Sequence, residues 1–375
     1  MNMIFKNGEV FFDKHFHKID VEILGDRILR VGENLEGEEI VDISGRMLLP
    51  GFIDLHSHGR VGYDFSTASP EEIEKLCISF AEIGVTSVLA TSITMGTEFT
   101  NGIMTNIRTA MENNKKGSRI LGINMEGPFL GADKKGSHDE NYLVVPDKEK
   151  FDNWNRLSGN NILMLDIDPN LPGAMEFIEE YSKSMVVSIA HTSAGYDTAV
   201  KAVEAGASHV THLFNAMNGL HHREPGIVGM VSDYPVNAEL ICDGIHIHPA
   251  VMRMMFKLIP DRLIIVSDSM SAAGLGNGEY ELGGMRVIVK DRKAALSNGT
   301  IAGSTTDVFE EVKKVIEIGI DKEQAILSAT HIPAKAIGKD NEIGEIAVGK
   351  MADLIVVSKD FDLEQVYIGG RSISE

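Results

Sequence analysis

The sequence predicts an α/β fold, a (β/α)8 TIM barrel with a small flanking β-sandwich domain that is built from both termini. Apolar, β-branched runs recur eight times between residues 50 and 335, with helical segments between them. Alternating strands and helices indicate a parallel sheet. The repeat averages about 30 residues, the size of one βα unit, and eight such units close a barrel. We therefore expect three stretches, 1–49, 50–338 and 339–375, and the middle one is the barrel.

Short alternating segments make up residues 1–49. Strand-like runs cover 9–12, 21–24 and 27–31, and Gly25-Asp26 separates the last two as a hairpin signal. We expect antiparallel β structure in this stretch, which forms the first part of the small β domain.

Eight runs supply the predicted barrel strands. One ends at His56, and the others cover 86–92, 120–125, 162–167, 185–190, 209–211, 236–242 and 263–267. Helical connectors are also recognisable, because Ser69 precedes Pro70 and a group of acidic residues. An N-cap serine followed by a first-turn proline is typical of a helix start.

Residues 339–375 return to short strands. The pattern predicts strands over 343–350, 353–357 and 366–368. Since both ends of the chain have the same character, we expect them to form one β domain beside the barrel.

Composition restricts the partners and the compartment. The 375-residue chain is 43% hydrophobic and carries a net charge of −20, which argues against nucleic acid or an anionic membrane as partner but allows a small phosphate in a local basic pocket. Two cysteines, Cys77 and Cys242, are too few for a disulfide framework. The N-terminus has no secretory apolar region, and no run reaches the roughly 20 apolar residues of a membrane span. We expect a cytoplasmic protein.

Metal-ligand residue types follow five of the predicted barrel strands. Active sites of such barrels lie at the carboxyl ends of the strands, so these side chains are expected to meet. Imidazoles and carboxylates without cysteine suit zinc or iron, with manganese or cobalt as further options. The six residues are His56 and His58 after strand 1, Glu126 after strand 3, His191 after strand 5, His212 after strand 6 and Asp268 after strand 8. A carboxylate at Glu126 could bridge two ions, and Asp268 could accept and donate the proton of hydrolysis.

Other histidines have plainer interpretations. The pair in His15-Phe16-His17 fits a solvated face of the β domain, and a single strand-end histidine is often a satisfied core residue. His209 begins its strand, and His331 falls in a late helical segment, so we interpret both as structural. Several ligand types in barrel order are harder to explain in this way.

Several motifs resemble a known family. Pro50-Gly51-Phe52-Ile53-Asp54-Leu55-His56-Ser57-His58-Gly59 and the segment 348–354 are similar to the metal-dependent amidohydrolase superfamily. More narrowly, Met125-Glu126-Gly127-Pro128-Phe129, Ala190-His191-Thr192 and the segments 211–217, 223–226 and 243–246 resemble the N-acetylglucosamine-6-phosphate deacetylases. The resemblance extends over nearly the whole chain.

The resemblance implies a role for each matching residue. Glu126, His191 and His212 match the main metal ligands, His56 and His58 match a second-metal pair, and Asp268 matches the catalytic acid and base that also contacts metal. Two divalent ions per chain are therefore expected. The matching substrate positions are Ser137, His138, Asn215, Ala216, Asp243, Gly244, Ile245, His246, Ile301, Ala302 and Gly303. Arg223 matches a phosphate ligand that reaches into the neighbouring subunit's site, which implies a homodimer.

The expected reaction is hydrolysis of the N-acetyl group of N-acetyl-D-glucosamine 6-phosphate, with Asp268 as general base and acid and His246 polarising the carbonyl oxygen. A planar arginine such as Arg223 suits a remote phosphate. Three alternatives stay open: the N-acetylgalactosamine 6-phosphate epimer, a cyclic-amide hydrolase or deaminase, and a non-catalytic sugar-phosphate binder. The roles of His221, His222 and His248 also stay open.

Overall fold

The computed structural model describes residues 2–37, 39–114 and 116–374. Within these residues, seven strands precede the barrel. They are β1 (Asn2–Lys6), β2 (Glu9–Phe12), β3 (His15–His17), β4 (Asp20–Leu24), β5 (Arg27–Gly32), β6 (Glu39–Asp42) and β7 (Arg46–Pro50).

The hairpin predicted around Gly25-Asp26 is confirmed, since β4 and β5 pair antiparallel. The expectation of purely antiparallel structure is wrong for two pairs. Strand β1 pairs parallel with β6, and β2 pairs parallel with β7. These partners are joined by long connections, which allow parallel pairing, whereas a tight hairpin does not.

The barrel follows as alternating strands and helices, with 3-10 turns at Ala132–Lys134 and Glu140–Tyr142. In chain order its elements are β8 (Phe52–Ser57), β9 (Gly59–Arg60), β10 (Tyr63–Asp64), α1 (Pro70–Ala81), β11 (Val85–Ser92), α2 (Thr97–Asn113), β12 (Arg119–Met125), α3 (Lys148–Leu157), β13 (Ile162–Ile167), α4 (Ala174–Tyr181), β14 (Val186–Ile189), α5 (Tyr196–Glu204), β15 (His209–Val210), α6 (Gly226–Asp233), β16 (Asn237–Leu240), α7 (Pro249–Leu258) and β17 (Leu263–Ile265).

The predicted (β/α)8 barrel is confirmed. In the described part of the chain, strands β8, β11, β12, β13, β14, β15, β16 and β17 form one parallel sheet in that order. A bridge between Ser57 and Ser269 and a hydrogen bond from the Asp268 N–H to the His56 carbonyl (2.8 Å) join the last strand to the first. All carboxyl ends of the strands therefore open on the same side.

The predicted helix start at Ser69 is also confirmed. The Ser69 hydroxyl accepts the Glu72 N–H, and the Glu72 carboxylate accepts the Ser69 N–H, which makes a reciprocal capping box at the start of α1. Such a cap fixes the residue at which the chain turns from the β8 region into the outer helical layer.

A three-stranded antiparallel insert follows the last barrel strand and was not expected from the sequence. It comprises β18 (Gly278–Leu282), β19 (Met285–Lys290) and β20 (Lys293–Ala295). Leu282 on β18 is buried beside Ile93, Met270 and Ala302, so the insert packs onto the mouth of the barrel. Three helices complete the barrel region as described: α8 (Val308–Glu317), α9 (Lys322–Leu327) and α10 (His331–Ala336).

The C-terminal strands are β21 (Leu354–Ser358), β22 (Leu363–Ile368) and β23 (Arg371–Ser372). These match the predicted runs 353–357 and 366–368. The strand predicted over 343–350 is wrong, because this segment forms turns in which Gly344 and Gly349 both have φ of 88°. Two of its apolar residues, Ile343 and Ile346, are buried although they lie in turns.

The two termini form a β-sandwich, as predicted. One sheet has the order β23-β22-β21-β7-β2-β3 and the other has the order β5-β4-β1-β6. Their shared core includes Phe5 and Val21 from the second sheet and Leu48, Val356 and Tyr367 from the first. Across the three described ranges, no helix combines the length and apolar character needed to cross a membrane.

Candidate active site

The carboxylate of Glu126, at the end of β12, lies at the centre of the strand-end residues. Its Oε1 is 3.0 Å from His191 Nε2 and 3.1 Å from His212 Nε2, and its Oε2 is 3.1 Å from His58 Nε2. The Glu126 side chain is only 3% exposed. Residues that are far apart in sequence therefore meet at one buried point, in agreement with their positions after strands β8, β12, β14 and β15.

Asp268 and His56 complete the group. Asp268 Oδ1 lies 3.4 Å from His58 Nε2 and 3.7 Å from His56 Nε2, and His56 Nε2 lies 3.6 Å from Glu126 Oε1. The structure thus brings together all six residues that the sequence singled out as metal ligands.

Three of these residues have strained backbone conformations. His191, His212 and Asp268 have φ of 42°, 28° and 45°, in a region that residues other than glycine rarely adopt. Each lies two or three residues after the end of a barrel strand, in the turn that directs its side chain into the group of six. Strain of this kind costs about 1–3 kcal/mol per residue and clusters at functional sites.

The hydrogen bonds of His191 call for a cation between it and Glu126. Its Nδ1 lies 2.8 Å from the Lys134 carbonyl oxygen, which can only accept, so Nδ1 carries the proton. In the neutral imidazole, Nε2 then presents a lone pair to Glu126 Oε1 and to His212 Nε2, which is 3.1 Å away. Lone pairs that face one another in a buried site are stabilised by a metal ion.

A buried glutamate on β16 gives His56 the same arrangement. Glu239 Oε2 lies 3.0 Å from His56 Nδ1, so in the neutral imidazole the lone pair is on Nε2, which faces the site. The sequence interpretation missed Glu239. Its signal is an acidic residue inside the apolar run 236–242, and the run's length concealed it because Glu239 lies before the end of the strand.

The carboxylates of the site stabilise positive charge on the neighbouring histidines, as the pKa values of these groups indicate. Burial opposes charging of His58, but Asp268 and Glu126 outweigh it and raise the pKa of His58 to about 10. Burial likewise opposes ionisation of Glu126, yet His138 and His56 hold its pKa well below the ordinary range. A divalent cation would replace the protons on these histidines and balance the charge of the same carboxylates.

Three overlapping groups have donor atoms close enough to share an ion. They are His56 with His58 and Asp268, His56 with Glu126 and His212, and Glu126 with His138 and His191. His138 was expected only as a substrate contact, but its Nε2 lies 3.3 Å from Glu126 Oε2. Burial lowers the pKa of His138 to about 4, against the opposing effect of Glu126, so its imidazole is neutral near pH 7. These residues fit a divalent cation.

A cavity of about 390 Å³ opens onto these residues. It is lined by most of the predicted substrate positions, namely Ser137, His138, Asn215, Ala216, His246, Ile301 and Gly303. Gly303 has φ of 60°, and a Cβ there would lie 3.1 Å from the Asp268 carbonyl oxygen, so the backbone approaches the site closely. Leu282 and Thr300 also line the cavity, and no sequence motif indicated either residue.

The other predicted substrate positions of the loop 243–246 and the loop 301–303 do not line this cavity, and Gly244 and Ile245 are exposed. The Asp243 carboxylate lies 2.8 Å from His246 Nδ1 and accepts the N–H groups of Ile245 and His246. Gly244, with φ of 80°, allows the tight turn between them. Ala302 is buried under the insert. Within the cavity lining, this loop contributes His246, and Asp243 orients its imidazole.

Arg223 lies away from this cavity within the chain. It is exposed, its Nη1 is 2.6 Å from His222 Nε2, and it lines a separate cavity of about 950 Å³ together with Ser193 and Asn218. The rings of His221 and His222 contact each other at a tilt of 50°, with centroids 4.3 Å apart. The structure of one chain therefore does not bring Arg223 to the six strand-end residues.

A (β/α)8 barrel whose mouth joins four histidines and two carboxylates defines a metal-dependent hydrolase. The sequence profile of the amidohydrolase family matches residues 47–373, and the chain belongs to that family. It is 36% identical to N-acetylglucosamine-6-phosphate deacetylase of Bacillus subtilis over 87% of this chain and 84% of that protein. It is 30% identical to N-acetylgalactosamine-6-phosphate deacetylase of Escherichia coli O157:H7, over 89% of this chain and 90% of that protein.

The fold comparison agrees. The crystal structure of N-acetylglucosamine-6-phosphate deacetylase from Pasteurella multocida superimposes with a TM-score of 0.94 at 31% identity, covering 99% of each chain. The similarity therefore includes both the barrel and the sandwich.

Proposed function

We propose that this enzyme hydrolyses the N-acetyl group of N-acetyl-D-glucosamine 6-phosphate to give D-glucosamine 6-phosphate and acetate. The observation that carries the proposal is the position of Asp268. This carboxylate lies in the cavity beside the ligand group and opposite residues suited to hold a sugar. The similarity to deacetylases of phosphorylated amino sugars supplies the substrate class.

The metal ligands in this proposal are His56, His58, Glu126, His191, His212 and Asp268, and they hold two divalent ions. Zinc or iron fits imidazole and carboxylate donors best, with manganese or cobalt also compatible. When bound, the ions supply Lewis-acid activation of water and of the amide carbonyl.

Proton transfer belongs to Asp268. Burial raises its pKa, but the hydrogen bond with His58 and the surrounding histidines outweigh burial and keep its pKa below the ordinary range. Asp268 is therefore ionised near pH 7 and can accept a proton from the attacking water. It then donates this proton to the nitrogen that leaves as the amine, which would otherwise depart as an unstable anion.

The carbonyl oxygen gains negative charge during the attack, and His246 is placed to stabilise it. The hydrogen bond between His246 Nδ1 and Asp243 fixes the imidazole at the cavity, and Nε2, when it carries a proton, can donate to the carbonyl oxygen. His138 lines the same cavity beside Glu126 and contacts the substrate near the reacting group. Ser137, Asn215, Ala216 and the loop 301–303 hold the sugar.

The phosphate is bound by Arg223 of the partner subunit in a homodimer. Two features support this proposal: Arg223 is exposed, and it lies outside the cavity of its own chain. A planar guanidinium binds phosphate through paired hydrogen bonds. Binding of this remote group orients the acetamide for reaction.

The experiment is a comparison of acetate release from three sugars by the metal-loaded enzyme: N-acetylglucosamine 6-phosphate, N-acetylgalactosamine 6-phosphate and unphosphorylated N-acetylglucosamine. The proposal expects the first to have the highest kcat/KM. Preference for the galactosamine epimer would favour the second candidate, which the relative from Escherichia coli supports. Absence of acetate from both phosphorylated sugars would exclude a deacetylase of either kind.

A further inference from the structure

Glu239 lies within β16 and connects three other residues of the barrel interior. Its side chain is 0% exposed. Its Oε2 lies 3.0 Å from His56 Nδ1 and accepts the His212 N–H at 3.1 Å, and its Oε1 lies 3.1 Å from His209 Nε2. One carboxylate thus joins the residue after β15 to a histidine on β8.

The direction of these hydrogen bonds determines what His56 can do. A carboxylate only accepts, so His56 donates from Nδ1, and in the neutral imidazole that binds a metal the lone pair is on Nε2. The Nε2 atom of His56 is buried, and it has no hydrogen-bond partner among the described residues. It is directed towards Glu126 and Asp268, at 3.6 Å and 3.7 Å.

His209 fixes the other end of the carboxylate. It is fully buried, and its contact with Oε1 restricts rotation of the Glu239 side chain. A metal-binding histidine that is held through its second nitrogen by a carboxylate has both its tautomer and its ring orientation fixed. His209, Glu239 and His56 form such a chain, and it ends at the candidate ion site.

We propose that Glu239 is a positioning residue that holds His56 Nε2 in the orientation needed to bind the second divalent ion, with His209 supporting it. This inference rests on the proposed two-ion site. It gives β16, which contributes none of the six strand-end ligands, a specific role in metal binding. It also explains why a carboxylate is buried in an apolar strand, where it is costly unless its hydrogen bonds are satisfied.

The predicted effect is selective. Replacement of an outer carboxylate of this kind weakens metal binding by about 10- to 100-fold. In Glu239→Gln, the packing is kept but the negative charge that makes His56 a better ligand is lost. The second ion should therefore bind about 10- to 100-fold more weakly. The first ion, held by Glu126, His191 and His212, should bind nearly as in the wild type.

The test is a titration of the metal-free, full-length protein with Co²⁺. The cobalt absorption bands and equilibrium dialysis give the affinity of each ion without any substrate. The variants are Glu239→Gln, His56→Asn and the double variant. If Glu239 acts through His56, both single variants lose the second ion, and Glu239→Gln adds no further loss when His56 is already asparagine.

Two further variants keep the test decisive. Asp166→Asn is the matched control, because Asp166 is a buried barrel carboxylate on β13 that accepts a hydrogen bond from Thr211 (2.7 Å) instead of from a candidate ligand. It should bind both ions as the wild type does. His209→Gln disturbs Glu239 indirectly and should lower the affinity for the second ion by a smaller factor. This variant tests the inference if Glu239→Gln does not fold.

Two results would overturn the inference. One is unchanged affinity for the second ion in Glu239→Gln, or in His209→Gln if the first variant is unfolded. The other is an equal loss caused by Glu239→Gln with and without His56, which would show a general effect on the fold. If the wild-type protein binds only one ion and still releases acetate at its full rate, both the two-ion proposal and this inference are refuted. The deacetylase proposal would stand in that case.

Discussion

Asp268 Oδ1 lies 3.4 Å from His58 Nε2, so the residue after the last barrel strand contacts the residue after the first. The contact depends on closure of the barrel, in which the Asp268 N–H donates to the carbonyl of His56. It places a carboxylate that can carry a proton beside the group that can hold metal. Substitutions at these residues and at their neighbours should therefore change metal binding and turnover in separable ways.

Asp268→Asn should reduce kcat by about 10²- to 10⁴-fold, because an amide cannot accept the proton of the attacking water. Most of the metal should stay bound, since Glu126, His191 and His212 are intact. Steady-state kinetics and metal analysis of the same preparation check both statements. Asp360→Asn, at an exposed position, is the control and should keep wild-type kinetics. Retained turnover in Asp268→Asn would contradict the proton-transfer role.

Glu126→Gln should lose affinity for both ions, because this carboxylate contacts histidines from β8 and from the turns after β14 and β15. Metal that binds only the folded protein stabilises it by about 2.7 kcal/mol at a concentration of 100 times Kd. Addition of zinc to metal-free wild type should therefore raise the Tm, whereas Glu126→Gln should show a much smaller rise. An equal rise in both proteins would place the metal elsewhere.

Arg223→Ala should reduce kcat/KM for the phosphorylated sugar, with a loss of about 1.5–3 kcal/mol for hydrogen bonds to a charged group. The rate with unphosphorylated N-acetylglucosamine should not change.

A mixed dimer tests whether the arginine comes from the partner. In a heterodimer of Arg223→Ala with Asp268→Asn chains, one site has both wild-type residues, so co-expression should give a kcat/KM above that of either homodimer. Absence of complementation in a verified heterodimer would contradict the contribution in trans.

Glu345 gives a pH-dependent prediction that does not involve the site. His331 foremost, with Lys350, lowers its pKa to about 2. Because the folded pKa lies below the ordinary value of 4.5, the stabilisation is present above about pH 4.5 and is lost as the pH falls towards 2. The carboxylate is one-third exposed, so Glu345→Gln should cost only about 0.5–1 kcal/mol at pH 7. Urea unfolding of both proteins at pH 7 and pH 3 should show the difference shrinking, and a constant difference would refute it.

The sequence was sufficient for the barrel because burial on both faces gives its strands continuous apolar runs. The rule that functional residues follow such strands then identified His56, Glu126 and Asp268 before their distances were known. The strand predicted over 343–350 was wrong because the apolar residues of this segment lie in turns around Gly344 and Gly349 and not along a pleated strand.

The roles of Glu239 and Leu282 could not be predicted from the local sequence pattern, because both depend on the tertiary fold. Glu239 contacts His56 across 183 positions of the chain, so its role exists only once β16 and β8 are in one barrel. Leu282 reaches the cavity because the insert folds back over the barrel mouth. An acidic residue inside an apolar strand is nevertheless a usable signal, since burial of a carboxylate requires partners.

The most direct test of the central claim is hydrolysis of N-acetyl-D-glucosamine 6-phosphate by the same protein before and after removal of its metal. The metal-loaded enzyme should release acetate and D-glucosamine 6-phosphate in equal amounts, a chelator should abolish the release, and zinc or iron should restore it. Release of acetate at an unchanged rate by verified metal-free protein, or none by fully loaded protein, would contradict the account.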